Sequence, residues 1–339
     1  MLYFAIAIGI AVLLVVCGIV YQTLGLRSDQ RRFPAPGRLI DVGGHRLHLY
    51  EIGSGPSVIL ESGISASSLN WRRVQNEAAR FARVCSYDRS GLGWSDLCNQ
   101  PCAPTALARQ LHALLQAAHI PAPYILVGHS FGGLIVRAFA SEFGNETAGL
   151  VLVDPLDPAE WTPITEQQQR MIAHGIRLAR RGALAARLGV VRVCLNLLLA
   201  GNRLLPRAAA KAWSGRAAEV TDRIGGQVRK MPEETWPLVA CHWKQSKSFE
   251  GMARHFECLA QSIVESSDFP VLGLPVTMLV GAQNEHPTDQ DAYARRISTR
   301  TKIVMAEKSG HWIQLDEPEL VVDAIREMVE AMQQQNRRR

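Results

Sequence analysis

The stretch YILVGHSFGG, residues 124–133, constrains this chain more than any other segment. An apolar run with strand composition ends in Gly128-x-Ser130-x-Gly132, and a helical pattern begins at once near Gly133 and continues to Phe143. A strand can pass into a helix over so few residues only through a sharp turn, and side chains at 128 and 132 would collide as the two elements close around it. Such a turn lifts the Ser130 hydroxyl above the carboxyl edge of a sheet, at the N-terminus of a helix that favours developing negative charge.

The flanking sequence supplies the sheet. Short β-rich runs (RLIDV, HRLHLYEI, SVILE, RVCSYD, YILVG, GLVLVD) are interleaved with helical patterns near 69–81, 105–118 and 133–143. The order resumes with PVTMLVG, a helix near 289–297, TKIVMAE and a last helix near 318–333. Apolar strands separated by helices of about 10 to 15 residues predict an α/β fold with a mostly parallel sheet covered on both faces. Between Pro155 and Leu274 the sequence is helical with no convincing strand and reads as an inserted lid. The expected organisation is a transmembrane anchor over 1–24, a linker over 25–37, core over 38–154, lid over 155–274 and core again over 275–335. The lid run LGVVRVCLNLLLAG contains Arg192 and Asn196, which argues against a second crossing. It either packs under the lid or offers an apolar wall to substrate or membrane.

A serine hydroxyl is a poor nucleophile at neutral pH and needs a base within hydrogen-bond reach. His311, in KSGHWIQLDEP, follows the last predicted strand and precedes the last helix, so its loop can fold back over Ser130. His129 adjoins the nucleophile, but the turn points neighbouring side chains apart, so it reads as packing; His286 ranks behind His311 as a base. Acyl transfer also needs donors aimed at the oxyanion. The backbone N–H of Phe131 is one candidate, and that of Ile64, after the glycine in Glu61-Ser62-Gly63-Ile64, is the other.

Taken together, VILESG, YDRSGLGWSD, GHSFGG and SGHWIQLDEP occur in an order that resembles the α/β-hydrolase superfamily, and within it the lid-bearing serine hydrolase branch. The similarity spans about Arg38 to Met332, the lid being poorly matched. The resemblance implies that Asp88 and Arg89 are structural or line the cleft. It implies a triad acid in chain order Ser, acid, His. At the common position after PVTMLVG this chain carries Asn284, which has no charge; some relatives place the acid after the strand that follows the nucleophile helix, and Asp154 stands there. Asp154 is the expected acid, with Glu285 the alternative and Asp157, Asp289 or no acid behind it. A serine at the elbow excludes the epoxide-opening and dehalogenating chemistry of relatives with a carboxylate nucleophile. The expected activity is hydrolysis of a carboxylic ester, thioester or lactone of a hydrophobic small molecule. Amide or carbon–carbon bond hydrolysis by the same residues, and a non-catalytic hydrolase-like binding protein, are the alternatives.

Residues 2–21, LYFAIAIGIAVLLVVCGIVY, run for one bilayer crossing without a charge and predict a single-pass anchor. A cleaved signal is disfavoured because no Lys or Arg precedes the run and no A-x-A follows it; a buried core helix is the remaining alternative. Arg27, Arg31 and Arg32 follow the run, which places the body on the cytoplasmic side by the charge rule. A formal charge of +6 without interleaved basic and aromatic residues suits anionic headgroups and not a nucleic-acid groove. The seven cysteines show no disulfide framework or zinc spacing and suit a reducing compartment; Cys98 and Cys102 read as loop thiols, a disulfide being the alternative. No metal or organic cofactor is expected, because no ligand cluster or phosphate loop is present. The sequence does not specify an oligomeric state.

Overall fold

The computed structural model describes residues 1–199, 227–284 and 289–338. Its strands are β1 (Arg38–Asp41), β2 (Arg46–Ile52), β3 (Ser57–Glu61), β4 (Arg83–Asp88), β5 (Tyr124–His129), β6 (Thr147–Val153), β7 (Leu272–Gly281) and β8 (Ser298–Ala306). They form one eight-stranded sheet in the order β1-β2-β4-β3-β5-β6-β7-β8. Only β2 runs antiparallel to its neighbours; β4 to β8 are parallel. This is the α/β-hydrolase fold.

Strand alternation sorts the core into two layers. Ile59, Leu126, Leu150 and Leu152 face one side with helices α3 (Pro104–Ala117) and α4 (Phe131–Glu142). Val58, Leu60, Ile125, Val127, Val151 and Val153 face the other, against α2 (Arg72–Ala78) and a helix near the C-terminus that includes Val321 and Ile325. Because neighbouring residues of a strand point to opposite faces, a strand buried on both sides reads as a continuous apolar run. All of β3 and β5 is buried.

Between β6 and β7 the described residues hold helices and no strand. They are α5 (Glu166–Arg187), α6 (Val190–Leu199), α7 (Trp236–Trp243), α8 (Ser246–Glu257) and α9 (Leu259–Ser267). The remaining helices are α10 (Gln290–Ile297), the short α11 (Ile313–Asp316) and α12 (Pro318–Arg338).

Two expectations change. The first helix, α1, spans Leu2–Arg32, so the segment read as a linker from residue 25 is helical up to Arg32. Its charges are not merely solvated: Arg192 of α6 pairs with Asp29 at 2.7 Å and donates from Nε to Gln22 Oε1 at 2.9 Å, while Gln22 Nε2 donates to the Lys244 carbonyl at 2.7 Å. The helix ends just before Pro34, which disfavours helical backbone in the residue ahead of it. The reading of the cysteines without a disulfide also fails at one pair: Cys102, before α3, is bonded to Cys258, between α8 and α9. Cys17, Cys85, Cys98, Cys194 and Cys241 remain free thiols. The two bonded residues are 156 apart in sequence, and no local spacing announces such a bond.

Candidate active site

Three strand ends lie side by side at the carboxyl edge of the sheet. The Ser130 N–H donates to the Val153 carbonyl at 3.0 Å, and the Asp154 N–H donates to the Leu279 carbonyl at 2.8 Å, so β5, β6 and β7 are still in register where their chains leave the sheet. Ser130 has φ of +52°, a left-handed conformation that costs a non-glycine residue about 1–3 kcal/mol and persists only when its surroundings enforce it. The tight strand-to-helix turn provides that enforcement. A Cβ at Gly128 would lie 2.7 Å from the Gly132 carbonyl oxygen, and one at Gly132 would lie 2.7 Å from the oxygens of Glu61 and Ser62. Both positions therefore exclude any side chain.

His311 stands in the loop between β8 and α11, with its Nδ1 2.7 Å from Asp154 Oδ2. Asp154 also adopts positive φ, +43°, and its Oδ1 accepts the Gly281 N–H at 3.0 Å. Asn284 holds the same carboxylate: its Nδ2 donates to Asp154 Oδ2 at 2.9 Å. The uncharged residue at the position where the resemblance expects an acid thus holds the Asp154 carboxylate. Burial works against the Asp154 carboxylate, but the His311 hydrogen bond, with its charge and the Gly281 N–H, outweighs it and holds the carboxyl below the usual range.

His129 is fully buried, and its Nε2 lies 2.8 Å from the His311 carbonyl oxygen. A carbonyl only accepts, so Nε2 carries the proton; burial, with repulsion from His311, pushes the His129 pKa down to about 3 and keeps the ring neutral. His129 therefore fastens the His311 loop by its backbone, a positioning task beyond simple packing. Of the other acid candidates, Asp157 pairs with Arg296 at 2.7 Å and caps the turn at Ala159, and Asp289 caps α10 through the Asp291 N–H. Glu285 and His286 lie outside the described residues.

The residues expected to supply oxyanion donors both lie near Ser130. Phe131 opens α4, and Gly63 is so close to the elbow that a Cβ on it would be 3.4 Å from Ser130 Cβ, with Ile64 next in the chain. Neither the Phe131 nor the Ile64 N–H has an acceptor among the described residues.

The resemblance marked Arg89 as structural or cleft-lining, but its partners under this loop were not legible in the sequence. Arg89 donates to the Ser62 carbonyl at 2.6 Å and to the Gly63 carbonyl, and it forms an ion pair with Glu61, which also accepts from Tyr87. All of these side chains are buried. The one clue was a carboxylate, Glu61, at the end of the otherwise apolar run SVILE. Asp88 is equally buried and accepts from His48 Nδ1 at 2.8 Å and from the N–H groups of Ser68 and Trp94. Burial alone would raise its pKa, but these bonds, His48 foremost, bring it down to about 2. Asp88 and Arg89 therefore brace the loops around the site.

A cavity of about 40 Å³ lies under the lid and begins at Ser65, two residues past Gly63. Leu92, Met231, Val239 and Met252 form its apolar wall, while Asn70 and His242 add polar groups.

Comparison with known proteins agrees with the fold. A model of the alpha/beta hydrolase family matches residues 58–324. The uncharacterized protein YqjL of Bacillus subtilis is 30% identical over 119 residues, 34% of this chain and 47% of that protein. The 2-hydroxy-6-oxo-2,4-heptadienoate hydrolase of Pseudomonas putida is 32% identical over 124 residues, 34% of this chain and 44% of that enzyme. The chain thus spans a little under half the length of these curated relatives. Among solved structures, a thermophilic esterase from Thermogutta terrifontis superposes with a TM-score of 0.59 at 23% identity, covering 87% of this chain and 97% of that one. With the family model matching most of its length, the chain belongs to the alpha/beta hydrolase family.

Proposed function

We propose that this protein is a membrane-anchored serine hydrolase that cleaves a carboxylic ester, thioester or lactone of a hydrophobic small molecule. The observation that carries this reading is the 2.7 Å contact between His311 Nδ1 and Asp154 beside a serine held at positive φ. With Asp154 ionised, Nδ1 carries the imidazole proton and Nε2 is left as the base. Ser130 Oγ attacks the substrate carbonyl as its proton passes to Nε2. The oxyanion that forms is met by the N–H groups of Phe131 and Ile64, and the imidazolium then protonates the departing alcohol or thiol. Water repeats the sequence on the acyl-enzyme and releases the acid. A fluorophosphonate is expected to label the full-length protein stoichiometrically. A panel of esters, thioesters, lactones and amides of graded acyl length should show ester-type turnover; turnover of amides alone would overturn the assignment.

The anchor reading rests on α1, the helix among the described residues long and apolar enough to cross a membrane. The protein should stay in the pellet through alkaline carbonate, and its release would remove the anchor from this account. For the side of the membrane, Arg27, Arg31 and Arg32 favour a cytoplasmic body. The Cys102–Cys258 bond favours the opposite face, since such bonds persist in oxidising compartments. Thiols trapped with a maleimide polymer before lysis distinguish the two: modification of Cys102 and Cys258 fits the cytoplasmic side, and their protection fits the other.

A further inference from the structure

Helix α6 combines a buried charge with an exposed apolar stripe, and both are arranged relative to α1. Gly189, just before α6, and Asn196, within it, both meet Tyr21 of α1: the Tyr21 ring lies 3.3 Å from where a Gly189 Cβ would stand, and Asn196 Nδ2 donates to Tyr21 Oη at 3.1 Å. Seven residues of helix advance about 10 Å, so contacts that stay on one residue of α1 mean that α6 crosses α1 instead of running along it. The crossing is close. A Cβ at Gly18 would lie 2.4 Å from the Leu188 carbonyl oxygen, and one at Gly25 would lie 2.5 Å from the Arg192 guanidinium. It also falls where the uncharged run Leu2–Tyr21 ends, about 30 Å from its start and therefore level with a bilayer surface.

The direction in which α6 faces follows from Arg192. Its side chain reaches Gln22, Gly25 and Asp29, pointing along α1 away from the apolar run. At about 100° per residue, Val190, Cys194 and Leu197 occupy the face of α6 opposite Arg192, with Val193 at its edge, and that face looks back along the run. Val190 is 51% exposed, Val193 44% and Leu197 40%, and the outward faces of α1 from Leu2 to Val16 are exposed as well. The surface is thus continuous with the anchor. Arg27, Arg31 and Arg32 follow at the level of anionic headgroups. An apolar helix face lying across the end of a membrane span, with a buried ion pair behind it, has the disposition of an interfacial helix.

We infer that α6 is a second membrane contact, lying in the plane of the lipid surface with Val190, Val193 and Leu197 among the outer acyl segments, so that the lid is mounted on the bilayer through the Arg192–Asp29 pair. This rests on the anchor reading of α1. A lid held there presents the site to esters dissolved in the membrane.

The test uses the full-length protein, with Cys17, Cys98 and Cys194 replaced by serine, in vesicles of phosphatidylcholine and phosphatidylglycerol. An environment-sensitive fluorophore is attached in turn through Val193→Cys, Val12→Cys in the anchor, and Asn145→Cys at the far end of the sheet. The label at 193 should be quenched by spin-labelled lipids, more by a shallow label than by a deep one, and be about fivefold less accessible to aqueous iodide than the label at 145. If 193 is as open to iodide as 145 while 12 stays shielded, the inference fails and the anchor stands. If 12 is open to iodide, the anchor fails and the inference with it. If 193 is shielded from iodide yet untouched by lipid quenchers, a protein face such as a second copy covers α6, and that too overturns the proposal.

Discussion

Ser130→Ala is expected to lower kcat by at least about a thousandfold and to abolish fluorophosphonate labelling, with the circular dichroism spectrum unchanged. The size of the effect follows from chemistry: no other hydroxyl stands at the elbow to form the acyl-enzyme, and the remaining donors only polarise the substrate carbonyl for attack by water. The fold should tolerate the change because the strained turn is imposed by Gly128, Gly132 and the register of β5 with β6, none of which involves Oγ. Relief of backbone strain is not expected, since alanine meets the same positive φ. A variant that is still labelled in full would show that another residue is the nucleophile.

Asp154→Asn is expected to cost about four orders of magnitude in kcat, the scale seen when a triad carboxylate becomes an amide and the imidazole loses its preferred tautomer. The exchange of Asp154→Asn with Asn284→Asp in one protein offers a sharper test. Asn284 Nδ2 lies 2.9 Å from Asp154 Oδ2, so the double variant moves the charge across a single hydrogen bond and should recover at least about tenfold over Asp154→Asn alone. Near-native turnover of the single variant would remove Asp154 from the mechanism. The pH behaviour has a definite sign. Asp154 is held below its ordinary value of 3.8, so its contribution to stability is fully present above about pH 4 and is lost as pH falls through the lower, folded value. Asp154→Asn should therefore flatten the acid limb of the stability curve measured by thermal unfolding.

The parts of this molecule that were legible in its sequence share a property: their meaning is local. Ser130 is announced by the glycines on either side and by the change from strand to helix around it. His311 is marked by its place between the last strand and the last helix, and Asp154 became the acid candidate because Asn284 lacked a charge. The parts that were missed join residues far apart in the chain. Asp29 looked like one charge in a polar linker until α6 supplied Arg192, 163 residues later. Glu61 ends β3, Tyr87 lies in β4 and Arg89 just past its end, and only the pairing of these strands brings the three under the Ser62–Gly63 loop. His129 was read as packing because its partner is a backbone carbonyl 182 residues away, which no side-chain pattern advertises.

The bond between Cys102 and Cys258 closes a covalent ring around a large part of the chain. Ser130 and Asp154 lie inside it, whereas His311 enters from outside. A ring of 156 residues restricts the unfolded chain by about 5 kcal/mol in the chain-entropy account. It also changes the result of damage. A protease that cuts once anywhere between Cys102 and Cys258 opens the ring but leaves a single connected molecule, so the segment carrying Ser130 cannot drift from the helices that follow β6. Only a second cut, or a reductant, sets the pieces free.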